Sequence, residues 1–233
     1  YGWFGVLSFN LRDMLRRSQL RLLSSIAEQV AVVITNTHLY QELERFCFDM
    51  VKSLVLAIEA KDTYTRGHSE RVSKYSLLIA ERLNLEKGEK ILLNWASTLH
   101  DVGKIGISEN ILTKPASLTA EEFDIIKTHP AKGYNILKPL GPLSGSLDGI
   151  LHHHERLNGK GYPDGLRGEE IPLMARIIAV ADTFDALNSD RAYRPGRSAK
   201  ESMAIIESVA GGELDADLVQ ILSSIIAEEN IER

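Results

Sequence analysis

Two short strings in this chain carry residue types suited to metal chemistry. One is His100-Asp101-Val102-Gly103-Lys104. The other, about fifty residues on, is His153-His154-Glu155, followed by Gly161-Tyr162-Pro163. Adjacent His and Asp offer one imidazole nitrogen and one carboxylate from neighbouring positions. An imidazole binds a single ion, whereas a carboxylate can bridge two. With His68, His129 and Asp182 the chain holds enough nitrogen and oxygen donors for a two-metal centre. A lone His is more often an ordinary core or surface residue. That expectation reverses here, because six of the seven His fall between residues 68 and 154, in company with acids. Asp101 follows the apolar run Trp95-Ala-Ser-Thr-Leu99, the inner end of an expected buried helix. An unpaired carboxylate there is costly to bury. Metal coordination relieves that cost, and Lys104 adds a second partner one turn on.

Composition narrows the surroundings of such a centre. The 233 residues, 44% of them hydrophobic, suffice for one sizeable core and an extra element. A single cysteine, Cys47, excludes an internal disulfide and a thiolate zinc cluster, and suits a reducing cytosol. No apolar run is long enough to span a membrane. The start Tyr1-Gly2-Trp3 reads as a piece of a longer cytoplasmic protein, with room for an upstream membrane anchor. A net charge of −5 argues against a DNA or RNA polymer as partner. A phosphate substrate then needs local cations. Lys104, Lys114, Arg156, Lys160, Arg167, Arg191 and Arg194 lie near the ligand strings. Scattered surface charge explains Arg156, Lys160 and Arg167 equally well.

The elements that must position these groups are helical. Residues 3–9 suggest one short strand. From Ser18 a long helix begins, with Leu20, Leu23, Ala27, Val30, Ile34, Thr37, Gln41, Glu44, Phe48, Val51, Val55 and Ile58 on a heptad seam. Its polar middle predicts a modest dimer helix that transmits a signal; packing on the main domain is the alternative. Further helices are expected over 68–84, 89–101, 119–137, 143–154, 172–187, 198–209 and 215–229. Thr119 and Glu122 form a capping-box signature, and Pro130 kinks its helix beside His129. Residues 157–170 read as an ordered loop.

Together the His-Asp, His-His-Glu and Gly-Tyr-Pro strings resemble the HD-GYP family, a branch of the HD phosphohydrolases, over roughly residues 46–225. Residues 5–40 resemble the closing strand and exit helix of a GAF sensor domain. The resemblance implies an all-α HD-type bundle at 46–233, behind a truncated GAF-like end and coiled-coil-like linker helix at 1–45. It implies His68, His100, Asp101 and Asp182 around one ion, and Asp101, His129, His153 and His154 around the other, with Asp101 bridging. His152 is expected to face away, and His38 to be solvated. Where family members with a third metal carry a glutamate, this chain has Tyr64, so two ions are expected. Iron or manganese suits the donors best, and zinc or nickel also binds them.

The implied reaction is hydrolysis of cyclic di-GMP to linear pGpG, with continuation to GMP left open. A metal-bridging hydroxide attacks phosphorus in line with the 3′-oxygen. Lys104 stabilises the phosphate or protonates the leaving oxygen; its alternative role is an ion pair with Asp101. By the same resemblance Tyr162, Asp185, Arg191 and Arg194 bind substrate, and Asp185 alternatively supports the ligands. The family more often has Pro at Ala192 and a basic residue at Pro195. Two other readings stand: hydrolysis of another nucleotide, such as mixed cyclic GMP-AMP, or a slow or inactive cyclic di-GMP receptor. A homodimer through the N-terminal helix is expected in either case.

Overall fold

The computed structural model describes residues 17–59, 67–114, 116–190 and 195–228. The expected strand at 3–9 lies outside them. All ten α-helices and three 3-10 turns of the described residues belong to an all-α architecture; only two isolated bridges, Asn158–Arg167 and Ala210–Leu214, pair as strands do. The chain divides into two compact units, Tyr1–Val51 and Lys52–Arg233.

In the first unit the described residues form most of one continuous helix, α1 (Arg17–Glu59), which runs on into the second. Leu20, Leu23, Val30 and Ile34 of the heptad seam are all exposed, as are Val32 and Val33 beside it.

The second unit is built around α8 (Leu173–Asn188). Its run Ala175, Ile177, Ile178, Ala179, Val180, Ala181 and Phe184 is buried on nearly every side, so α8 is the central rod. Against it pack α2 (His68–Arg82), α3 (Lys87–Leu99), α7 (Leu147–His152), α9 (Ala199–Val209) and α10 (Ala216–Glu228). Tyr75 of α2 meets Phe184 edge-on, with centroids 5.0 Å apart. Burying a ring such as Phe184 stabilises the fold by about 1.5–3 kcal/mol. Ile79, Leu93, Leu99, Ile150, Leu222 and Ile225 complete the core.

Two expected helices differ in the structure. The single helix over 119–137 is instead α5 (Ala120–Ile126) and α6 (His129–Leu137). Thr119 and Glu122 do form the capping box of α5. Pro130 explains the break. It has no N–H to give the carbonyl of Ile126, four residues earlier, and its ring crowds that carbonyl. The helix over 143–154 begins as a 3-10 turn, Gly141–Ser146, before becoming α7. Three short elements had no helical expectation: the 3-10 turns Val102–Gly106 and Gly168–Glu170, and α4 (Glu109–Leu112).

Candidate metal centre

The strings converge at the inner ends of these helices. α3 stops at Leu99, His100 caps it, and Asp101 opens the 3-10 turn. Side chains three apart eclipse in a 3-10 turn, so Lys104 Nζ lies over Asp101 Oδ2 at 2.5 Å. His129 starts α6, His153 caps α7 with His154 next to it, and Asp182 and Asp185 sit one turn apart on α8. His68 is the first residue of α2.

Asp101 stands at the middle. Its Oδ1 is 3.1 Å from His129 Nε2, while its Oδ2 is 3.5 Å from His100 Nε2 and 3.8 Å from His68 Nε2. His68 Nε2 also lies 3.3 Å from Asp182 Oδ1. Two clusters of donor atoms result, each within 4.8 Å: Asp101, His129, His153 and His154, and His68, His100 and Asp101. They share only Asp101, one oxygen turned to each.

The rings are held in register by backbone. Nδ1 of His100, His129 and His153 faces the carbonyl three residues before it: Ser97 at 2.6 Å, Ile126 at 2.8 Å and Ile150 at 2.7 Å. A carbonyl only accepts, so each Nδ1 carries a proton, and on a ring without a second proton Nε2 is a lone pair. The Ile126 carbonyl is the one Pro130 leaves unpaired. Helix ends free the others.

His100 Nε2 is buried with no hydrogen-bond partner, which is unfavourable for a polar atom. His129 Nε2 and His153 Nε2 approach to 3.3 Å. A divalent cation in either cluster would satisfy these nitrogens and the carboxylate at once, so the residues fit metal.

Protonation points the same way. Burial, then the neighbouring imidazoles, hold His153 well below the usual histidine range, and burial holds His100 low as well. Burial, with His129 adding to it, brings His154 down to about 3. Burial would push Asp101 and Asp182 up. The Lys104 ammonium leads the effects that outweigh it for Asp101, and His68 outweighs it for Asp182, so both stay ionised well below the carboxylate range. His68 is the exception. Burial lowers it, yet hydrogen bonds with Asp182 and Asp185 raise it to about 9.

A pH dependence follows for metal uptake. Below pH 9 the metal-free His68 ring carries an extra proton, which an ion must displace. His100, His153 and His154 are already neutral, and Asp101 and Asp182 already ionised. Apparent affinity for the His68-side ion is therefore expected to rise about tenfold per pH unit from 6.5 to 8.5. Calorimetry in buffers of different ionisation enthalpy reads the released protons directly. About one proton from His68 is expected, and none would contradict the raised value.

Other expected site residues fall as follows. Asp185 is 1% exposed; its Oδ2 lies 2.7 Å from His68 Nδ1 and its Oδ1 accepts from Arg71 Nε at 2.5 Å. This places it directly against the His68 ring. Tyr162 lies beside His154, with ring centroids 4.8 Å apart. Burial pushes its phenol well above the usual range, so it keeps its proton. Arg191, Arg194 and Tyr64 lie outside the described residues. Lys114 is paired with Glu122 at 2.6 Å. His152 Nδ1 turns toward Asp164 and Glu155, at 3.7 and 3.9 Å, and His38 lies exposed on α1 beside Glu42.

Glu155 was quoted in the sequence only as part of a string. Its buried carboxylate accepts from the backbone N–H groups of Asp164 at 2.7 Å, Gly165 at 3.0 Å and Leu166 at 3.1 Å. It thereby ties down the loop that presents Tyr162. At Gly161 the loop folds back so closely that a Cβ would stand 2.4 Å from Arg156 N. The carbonyls behind the rings were also missed. Asp185, by contrast, was signalled by its spacing, a single turn from Asp182.

Residues 52–218 match the family model described as HD domain. The chain belongs to the HD-domain family. It is 39% identical over 190 residues to a cyclic di-GMP phosphodiesterase of Thermotoga maritima, covering 80% of this chain and 51% of that protein. It is 40% identical over 169 residues to a 3′3′-cGAMP-specific phosphodiesterase of Vibrio cholerae, covering 72% of this chain and 37% of that protein. This HD-domain chain thus spans about half the length, or less, of these curated relatives. A solved cyclic GMP-AMP-specific phosphodiesterase of V. cholerae shares the fold with a TM-score of 0.61 at 20% identity, over 78% of this chain and 49% of that one. No helix of the described residues is long and apolar enough to cross a membrane.

Proposed function

We propose that this chain is the HD-GYP output domain of a signalling protein and hydrolyses cyclic di-GMP to linear pGpG with two divalent metals. The observation that carries the reading is Asp101, whose two oxygens face two separate histidine clusters with Lys104 against one of them. His68, His100, Asp101 and Asp182 would hold one ion; Asp101, His129, His153 and His154 would hold the other. When bound, the two ions supply Lewis acidity toward the phosphate and activate water. Nitrogen and carboxylate donors suit iron or manganese, with zinc or nickel as competitors.

The chain's own groups supply the rest. Hydrolysis adds water across the P–O3′ bond, leaving a 5′-phosphate and a 3′-hydroxyl. Lys104, beside the bridging carboxylate, is placed to bind a phosphate oxygen or give the leaving 3′-oxygen its proton. Tyr162 keeps its phenolic proton and donates to substrate or stacks on a base next to His154. Arg191 and Arg194 are assigned to the phosphates, since a planar guanidinium matches two of their oxygens. Asp185 and Arg71 fix His68 from behind.

The relatives named for cyclic di-GMP and for cyclic GMP-AMP match the chain with nearly equal identity, so mixed cyclic GMP-AMP is the second substrate to test. The exposed seam of Leu20, Leu23, Val30 and Ile34 supports a homodimer through α1, with residues 1–45 as the end of a GAF-like sensor and its linker.

The deciding experiment is anaerobic turnover of cyclic di-GMP, cyclic GMP-AMP and dNTPs, with metal quantified in the same sample. Linear pGpG with about two ions per chain is the expected result. Two bound ions without any product would replace the enzyme reading with that of a receptor.

A further inference from the structure

His68 opens α2, and its N-cap residue, Gly67, has no side chain with which to cap the helix. The first amides of a helix need acceptors from outside it. Here they come from Glu59, the final residue of α1. Glu59 Oε2 accepts from Gly67 N–H at 2.8 Å and Oε1 from Ser69 N–H at 2.9 Å. These two amides bracket His68. Glu59 is 6% exposed, and a negative group at this end also complements the helix dipole.

Glu59 is not among the donors of either cluster, so its position calls for another role. The ring of His68 is fixed at Nδ1 by Asp185, which Arg71 holds in turn. Arg71 Nη1 lies over Gly67, 3.1 Å from where a Cβ would stand. Asp185 therefore orients the ring, and Glu59 holds the backbone from which the ring projects. A ligand's supporting groups set its affinity almost as strongly as the ligand itself.

We propose that Glu59 is a positioning residue for the His68-side metal, and that α1 thereby ends on the metal centre. This rests on the two-metal reading above. Any turn or axial shift at the end of α1 moves the two amides around His68 and leaves the His129, His153 and His154 side in place.

The test is Glu59→Gln, which keeps the size and one carbonyl oxygen but loses the second acceptor. One of the two ions is expected to bind about ten- to a hundredfold more weakly, the other unchanged. The weakened ion should be the one lost in His68→Ala and retained in His129→Ala. kcat at limiting metal should fall with that ion while KM for the cyclic dinucleotide holds. Hydrogen exchange at Gly67 and Ser69 should quicken. A wild-type protein with two ions and a Glu59→Gln protein with both affinities unchanged would overturn the proposal and spare the metal reading. A wild-type protein that takes up no metal would overturn both. Should Glu59→Gln fail to fold, exchange in the wild type decides: slow amides at Gly67 and Ser69 support the cap, and amides exchanging at open-loop rates overturn it.

Discussion

Asp101→Asn is expected to lose both metals and to lower turnover by roughly a thousandfold or more, a barrier increase of about 4 kcal/mol. Asp101 is the single residue shared by the two donor clusters. The amide keeps one neutral oxygen and turns an NH2 toward rings whose Nε2 atoms are lone pairs. It also removes the negative charge against which Lys104 is set at 2.5 Å. Among the described residues no other side chain belongs to both clusters. Metal analysis and turnover on one preparation check the result. Two tightly bound ions with wild-type turnover would sink the shared-carboxylate arrangement.

The second large effect comes from a residue with no side chain. Gly103→Ala is expected to lower the melting temperature and to weaken the metal centre together. A Cβ at this position would stand 1.9 Å from the His129 carbonyl oxygen and 2.5 Å from Gly133 N. Both are backbone atoms of α6, so no rotamer change relieves the clash. The 3-10 turn and α6 must separate, at a cost of about 1–3 kcal/mol or more. For a chain of this size each kcal/mol lowers the midpoint by about 2–4 °C. The separation also draws His129 away from Asp101, now 3.1 Å from it. A displacement of about 1 Å can cost about a hundredfold in rate. Calorimetry and turnover measure the two effects, and a variant with an unchanged midpoint would contradict the close approach.

How much was legible before the fold depends on the kind of interaction. Candidate donors were readable because His100-Asp101 and His153-His154 are contiguous, and contiguity survives any fold. The capping box at Thr119 and Glu122 was readable because it is local. Pro130 was read as a kink and is a full break, since the freed Ile126 carbonyl gains another donor in His129 Nδ1. The 3-10 turn that sets Lys104 above Asp101 leaves no periodic signature over so few residues. Asp185 was expected at the substrate or behind the ligands; only the packing of α8 on α2 places it against His68. Glu59 was invisible for the same reason: its partners are backbone amides, which every residue but proline possesses. The acid closing the apolar run Leu54-Val-Leu-Ala-Ile-Glu59 was the only hint.

The carbonyls behind His100, His129 and His153 have one further consequence. A ring whose tautomer is fixed in advance offers the same hard-edged donor to every first-row ion that arrives. A fixed tautomer sets which nitrogen is offered, not which ion takes it, and intrinsic affinity still follows the general order in which zinc and copper surpass manganese and iron. The identity of the working ion passes from the protein to the supply: which ions are free where the chain folds, and at what concentrations. The same polypeptide made in two settings would carry different metals, with one sequence and one fold.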